Sequence, residues 1–287
     1  MENVVELNEK GFAVTFDDYV DLRIPKDCVG FTERALEDLC ALADERESIT
    51  VEEGNEIFKA VGDCLIDVRE GKLVLGCKNS KIPDDGTVRI IGVHAFRGIG
   101  GLESENRDIF TNIQVPESVE TIEHHAFCDS GLTDIQLPKG LKKIGSMAFM
   151  LTRIGKEGTT IFLPETVEEM GIGVFAGCKE LCRSKIFSER YKSECDCIVD
   201  RATKTIIAVH NGISGEILPP SADKIEMLTF MGQNKGAKYY FHENIKEISV
   251  SPLGMPSAIE FPITMVVRKG SYSHEFALKH NINHEIW

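Results

Sequence analysis

Three groups of residues could in principle do chemistry. Four of the nine cysteines, Cys178, Cys182, Cys195 and Cys197, fall in one short stretch. A structural zinc site pairs thiolates two to four residues apart, and Cys178-x-x-x-Cys182 meets that spacing only at its loose end. Cys197 belongs to Cys197-Ile-Val-Asp200, which matches Cys64-Leu-Ile-Asp67 earlier in the chain, so it reads as a packing residue. His124-His125, His274, His280 and His284 are candidate bases or metal ligands. A general base needs an orienting carboxylate or a nucleophile beside it, and nothing in the sequence places one there. These histidines are therefore expected to be solvent-exposed. Gly98-Ile-Gly-Gly101 lacks the Lys-Ser/Thr and the helix start of a phosphate loop. No catalytic residue, no metal site and no cofactor is expected.

Charge and composition narrow the partners. The formal net charge is −14, which disfavours nucleic acid and anionic lipid, since both are held by clustered Lys and Arg. The first residues, MENVVELNEKGFAVTFDDYV, are acidic and lack the basic start and apolar run of a signal peptide. No run approaches the ~18 apolar residues that span a bilayer, so no membrane insertion is expected. An odd number of scattered cysteines suits reduced, buried thiols. A cytoplasmic location is the expectation for the chain as it stands, and an extracellular or surface location if an export signal has been removed.

The elements that must position any site come from an internal repeat. Pro116–Phe127, Pro138–Phe149 and Pro164–Phe175 share one frame: Pro, an apolar residue at +3, another at +6, a small or β-branched residue at +10 and Phe at +11. Looser copies start at Pro25, Pro83, Pro219 and His242, making seven units. Units of this length bury their apolar face only against their neighbours, which is the logic of a solenoid. Ahead of each Pro lies an alternating stretch, at 20–24, 111–115, 133–137 and 159–163, expected to form strands. The +6 residue marks a second extended segment, and Ala-Phe is expected on a tight helical turn. Phe96, Phe127, Phe149, Phe175 and Phe230 would then form one continuous aromatic spine. Two segments, at about 56–79 and 188–213, resemble each other and read as inserted β-hairpins. The expected organisation is a single domain, with an N-terminal cap over 1–19, a solenoid over 20–265 and a C-terminal cap over 266–287.

At these residues the chain resembles the BspA-like leucine-rich repeat family. The resemblance rests on Val115-Pro116 through Phe127, Ile144-Gly145 with Ala148-Phe149, Phe175-Ala-Gly-Cys178, and the ending Val266–Ile282. It covers roughly residues 20–287 and gives Cys178 an ordinary place in the repeat. It implies a curved, right-handed, horseshoe-like α/β solenoid, rich in β, with a parallel sheet on its concave side. The family usually supplies protein-interaction or adhesion surfaces and carries no catalytic residues that could be transferred here. The site would then lie in the exposed slots of the concave strands: Arg23, Gln114, Gln136, Phe162, Tyr240 and Glu260. Phe162 and Tyr240 stand out, because an exposed aromatic among polar neighbours has the composition of a binding hot spot. The inserted hairpins could instead cover either aromatic. The leading expectation is a non-enzymatic scaffold that binds a protein or peptide through this face. The alternative is a secreted or surface adhesion module for host matrix protein or carbohydrate.

Overall fold

The computed structural model describes residues 3–6, 13–16, 20–212, 214–250 and 261–287. Its centre is a β-solenoid built from two-residue strands, Ile90–Ile91, Thr121–Ile122, Lys143–Ile144 and Glu169–Met170. These pair in parallel with no slip, so that Ile91, Ile122, Ile144 and Met170 form one column. The first three of those residues are fully buried. The +3 residues Val119, Leu141 and Val167 form a second buried column beside them. A repeat of constant internal spacing thus places each apolar slot against its own counterpart one turn away.

The ladder extends at its start through Lys72–Gly76, Cys64–Asp67 and Phe58–Val61, an antiparallel meander whose last strand pairs in parallel with Ile90–Ile91. A second meander, Tyr191–Glu194, Cys197–Asp200 and Thr205–Val209, feeds Lys224–Ile225 and Glu247–Ile248 in the same way. Both carry a register shift at the same place, between Leu65 and Ile66 and between Ile198 and Val199. In both, the aspartate closing the middle strand accepts backbone hydrogen bonds from the turn that follows: Asp67 from Arg69, and Asp200 from Ala202. Each meander has three strands where the sequence suggests two, and it lies in line with the ladder rather than beside it.

The stretches before the prolines depart from expectation. Strands form at Val20–Ile24 and Ile161–Leu163, but 111–115 and 133–137 carry no strand ladder. There a threonine column takes over. Thr133 donates both its backbone N–H (2.9 Å) and its hydroxyl (3.1 Å) to the Thr111 carbonyl. The Thr159 hydroxyl reaches the Thr133 carbonyl at 3.4 Å. These hydroxyls share their carbonyl acceptors with backbone N–H donors. The parallel ladder of the central units runs through the +6 column.

The Ala-Phe turns stack as expected over four units. Ring centroids lie 5.3 Å apart for Phe96–Phe127, 5.4 Å for Phe127–Phe149 and 5.7 Å for Phe149–Phe175, with planes within 8°. Phe110, outside the repeat frame, caps the stack on Phe96 at 5.5 Å. Phe230 does not join it. That ring lies in a second core, tilted against Tyr239, Phe241 and Phe261. The spine is thus broken between Phe175 and Phe230, with the second meander inserted between them in the chain. The first unit also differs from the repeat frame. A two-turn helix, α1 (Glu33–Cys40), replaces the tight turn; Thr32 caps it by accepting from the Ala35 N–H at 3.1 Å. The fully buried Arg46 guanidinium ties α1 to the first meander, donating to the Leu39 and Gly76 carbonyls at 2.7 Å each. At the other end a strand, Thr264–Val267, and a helix, α2 (Tyr272–Lys279), close the second core.

Truncating a ring in the middle of the stack removes partners on both sides. Phe127→Ala or Phe149→Ala is expected to lower unfolding free energy by about 3–5 kcal/mol, read from urea denaturation midpoints.

Candidate ligand groove

Alternation along the pre-proline stretches settles what they present. Ile113, Val115, Ile135, Ile161 and Leu163 point into the core, while Gln114, Gln136 and Phe162 point out. Together these outward residues line an open groove of about 1060 Å³. Its flanks carry Asp84, Glu117, Asp134 and Glu165 against a single lysine, Lys139. A smaller cleft of about 490 Å³ lies beside Glu52–Asn55 and contains none of the expected site residues.

One end of the groove is aromatic. Phe162 is 49% exposed and Phe187 60% exposed, and their rings lie nearly parallel with centroids 6.5 Å apart. Ile161–Leu163 pairs in parallel with Ser184–Ile186, which brings Lys185 opposite Phe162, its Nζ 5.5 Å from the ring centroid. A cation over an aromatic face is attracted by the ring quadrupole. The groove therefore joins an apolar platform to a row of amide and carboxylate groups. This arrangement can hold an extended chain by side-chain hydrogen bonds and one buried anchor.

Of the six expected residues, the structure brings Gln114, Gln136 and Phe162 together. Arg23 is exposed on Val20–Ile24, opposite Thr50, and does not line the groove. Tyr240 is half-buried on Lys238–Phe241, its ring edge-on to Trp287 at 5.5 Å, so the chain's last residue packs against it rather than a hairpin. Glu260 lies outside the described residues. Phe187 was missed because it follows no repeat proline; it directly follows Ser184–Ile186, the strand that pairs with Ile161–Leu163, and no period-two pattern in the sequence marks it.

The remaining candidates resolve as follows. Cys178 is buried, donates to the Phe149 carbonyl at 3.0 Å and contacts the Thr152 hydroxyl; burial pushes its thiol up to about 12. Cys197 is buried while Cys182 and Cys195 are exposed. The expected exposure of the first histidine pair is corrected. His125 is half-buried, stacked under a histidine not considered from sequence, the 1%-exposed His94. A carboxylate does accompany them, Glu33 lying 3.2 Å from His124.

Residues 103–197 match, in six copies, the family described as BspA type leucine rich repeat region. This stretch belongs to the BspA-type leucine-rich repeats. Proteins built of such repeats generally serve in protein interaction or at cell surfaces. Among solved structures, the chain is similar to the pneumococcal vaccine antigen PcpA at 18% identity and a TM-score of 0.44, covering 93% of this chain and 55% of that one. It thus spans about half of PcpA's length. It is also similar to a leucine rich cell surface protein of Faecalibacterium prausnitzii, at 14% identity, TM-score 0.45, and 89% and 73% coverage. A leucine-rich repeat protein of Eubacterium ventriosum matches at 11% identity, TM-score 0.46, and 90% and 70% coverage. A search of curated proteins finds no match. No helix among the described residues is long and apolar enough to cross a membrane.

The groove aromatics contribute little to folding if they are held for a ligand. Phe162→Ala and Phe187→Ala are each expected to change stability by under about 1 kcal/mol in urea titrations, in contrast to the core phenylalanines.

Proposed function

We propose that this chain is a non-enzymatic interaction scaffold that binds an extended peptide segment of a protein partner in the groove of Gln114, Gln136, Phe162 and Phe187. The observation that carries this reading is the aromatic pair: two large rings stand half-exposed and stacked on each other at one end of a polar groove. Leaving such area in water disfavours the free state, and covering it rewards a ligand. Outward amides at Gln114 and Gln136 supply donors and acceptors along the path to those rings. Four carboxylates against Lys139, and Lys185 over the Phe162 ring, leave the rim acidic on balance. The partner segment is therefore an apolar or aromatic anchor flanked by Lys or Arg, and its association rate falls with added salt.

Selection of random peptides on the immobilised chain tests this directly. Selected peptides should carry an aromatic or aliphatic anchor next to basic residues. Their affinity should fall at least about tenfold on Phe162→Ala with Phe187→Ala, the loss of one hot-spot contact. Peptides that bind the double variant as tightly as the parent chain would place the ligand elsewhere.

A further inference from the structure

A second cluster, remote from the groove in repeat position, contains side chains whose polar atoms lack partners. The slot just before Ala-Phe takes left-handed backbone in every unit of the stack: His94 at φ 59°, His125 at 56°, Met147 at 56° and Gly173 at 61°. Same-slot stacking therefore lays His94 on His125, with ring centroids 5.1 Å apart and planes 15° apart. His124 adds a third ring, 5.9 Å from His94 and 5.6 Å from His125. Helix α1 packs beside them and delivers Glu33 and Glu37, one turn apart. Glu33 Oε1 lies 3.2 Å from His124 Nε2, and Glu37 Oε1 lies 3.8 Å from His94 Nε2. One ligand nitrogen from each of the three histidines lies within 4.8 Å of the other two, and Glu33, Glu37 and His94 meet the same criterion.

Two observations set this cluster apart from ordinary surface histidines. His94 is only 1% exposed, yet its Nε2 has no hydrogen bond, and neither has the buried Nδ1 of His125. Orphaned buried polar atoms are uncommon and call for a partner. The tautomer of His125 also follows from its neighbours. Its Nε2 lies 3.2 Å from the Met147 thioether, which can only accept, so the ring proton sits on Nε2 and Nδ1 offers a free lone pair.

We propose that His94, His124 and His125, with Glu33 and Glu37 from α1, bind a divalent late first-row transition ion of the zinc class. Imidazole nitrogens with a carboxylate suit Zn²⁺, Ni²⁺ or Cu²⁺, whereas Ca²⁺ and Mg²⁺ require oxygen ligands. A bound ion would tie α1 to two successive solenoid turns and stabilise the folded chain by mass action. One residue opposes it. Arg97 Nη1 lies 3.3 Å from His94 Nδ1, and a guanidinium can only donate, so the His94 proton now sits on Nε2. Coordination through Nε2 moves that proton to Nδ1 and breaks the Arg97 contact. Arg97 is thus a brake, by tautomer and by charge.

The test is calorimetric titration of the chelator-treated full chain with zinc chloride, and with calcium chloride as a control. One equivalent of Zn²⁺ should bind, with no comparable response to Ca²⁺. His124→Ala with His125→Asn should weaken binding by at least about tenfold, a scale reached even when only an outer partner of a ligand is removed. Both side chains are partly exposed, and Asn tolerates the left-handed backbone at 125, so a folded variant is expected and circular dichroism checks it. Arg97→Gln, whose amide oxygen can accept from a protonated Nδ1, should bind several-fold more tightly. No zinc binding, or binding unchanged in the double histidine variant, overturns the site. Unchanged or weaker binding in Arg97→Gln overturns His94 Nε2 as a ligand atom.

Discussion

Each turn of this solenoid meets its neighbour slot for slot, and nearly everything else depends on that constraint. Unshifted parallel pairing puts Ile91 beside Ile122 and Ile122 beside Ile144. The same register carries the rings of Phe96, Phe127, Phe149 and Phe175 into one stack. Backbone hydrogen bonds across the Ala-Phe turns, such as Phe96 N–H to the Ala126 carbonyl at 2.7 Å, hold that register between the rings. Whatever occupies a slot is thereby repeated as a column. An apolar slot becomes core, an outward slot becomes a recognition surface, and two histidines in one slot become a pair in contact.

The groove and the histidine cluster are two products of this rule on different columns. The outward pre-proline slots bring Gln114 and Gln136 side by side, and Phe162 ends the row where the parallel pair with Ser184–Ile186 begins. The slot before Ala-Phe is left-handed in all four units of the stack, which turns its side chains away from the phenylalanine core. His94 and His125 then meet each other and the acidic residues of α1. The helix is held there by Leu36 and Leu39 in a core shared with the first meander, and by the fully buried Arg46, which ties its carboxyl end to that meander.

Much of this was legible in the residues. Proline, two apolar slots, Ala and Phe at constant spacing placed the buried columns of the central units, and alternation before proline placed Gln114, Gln136 and Phe162 on one face. What escaped was whatever depends on a meeting that no single repeat encodes. Tyr240 fits the outward pattern, yet Trp287, far along the chain, packs against it. Phe230 fits the Phe slot, yet Tyr239 and Phe241 from its own following strand draw it into a second core. At 111 and 133 no ladder forms, and the threonine hydroxyls of 133 and 159 share their carbonyl acceptors with backbone N–H donors, which the repeat frame did not foretell. His94 and His125 were readable in principle, since both stand two residues before the repeat Phe, but only if slots are compared between units rather than read within one.

The central claim is that outward slots, not the stacked core, meet the ligand. Fluorine NMR of the chain labelled with fluorophenylalanine, titrated with a basic peptide bearing an aromatic anchor, addresses it most directly. The account predicts that the resonances of Phe162 and Phe187 shift on titration while those of Phe96, Phe127, Phe149 and Phe175 hold still. Shifts confined to other phenylalanines, with Phe162 and Phe187 unmoved at saturation, would contradict it.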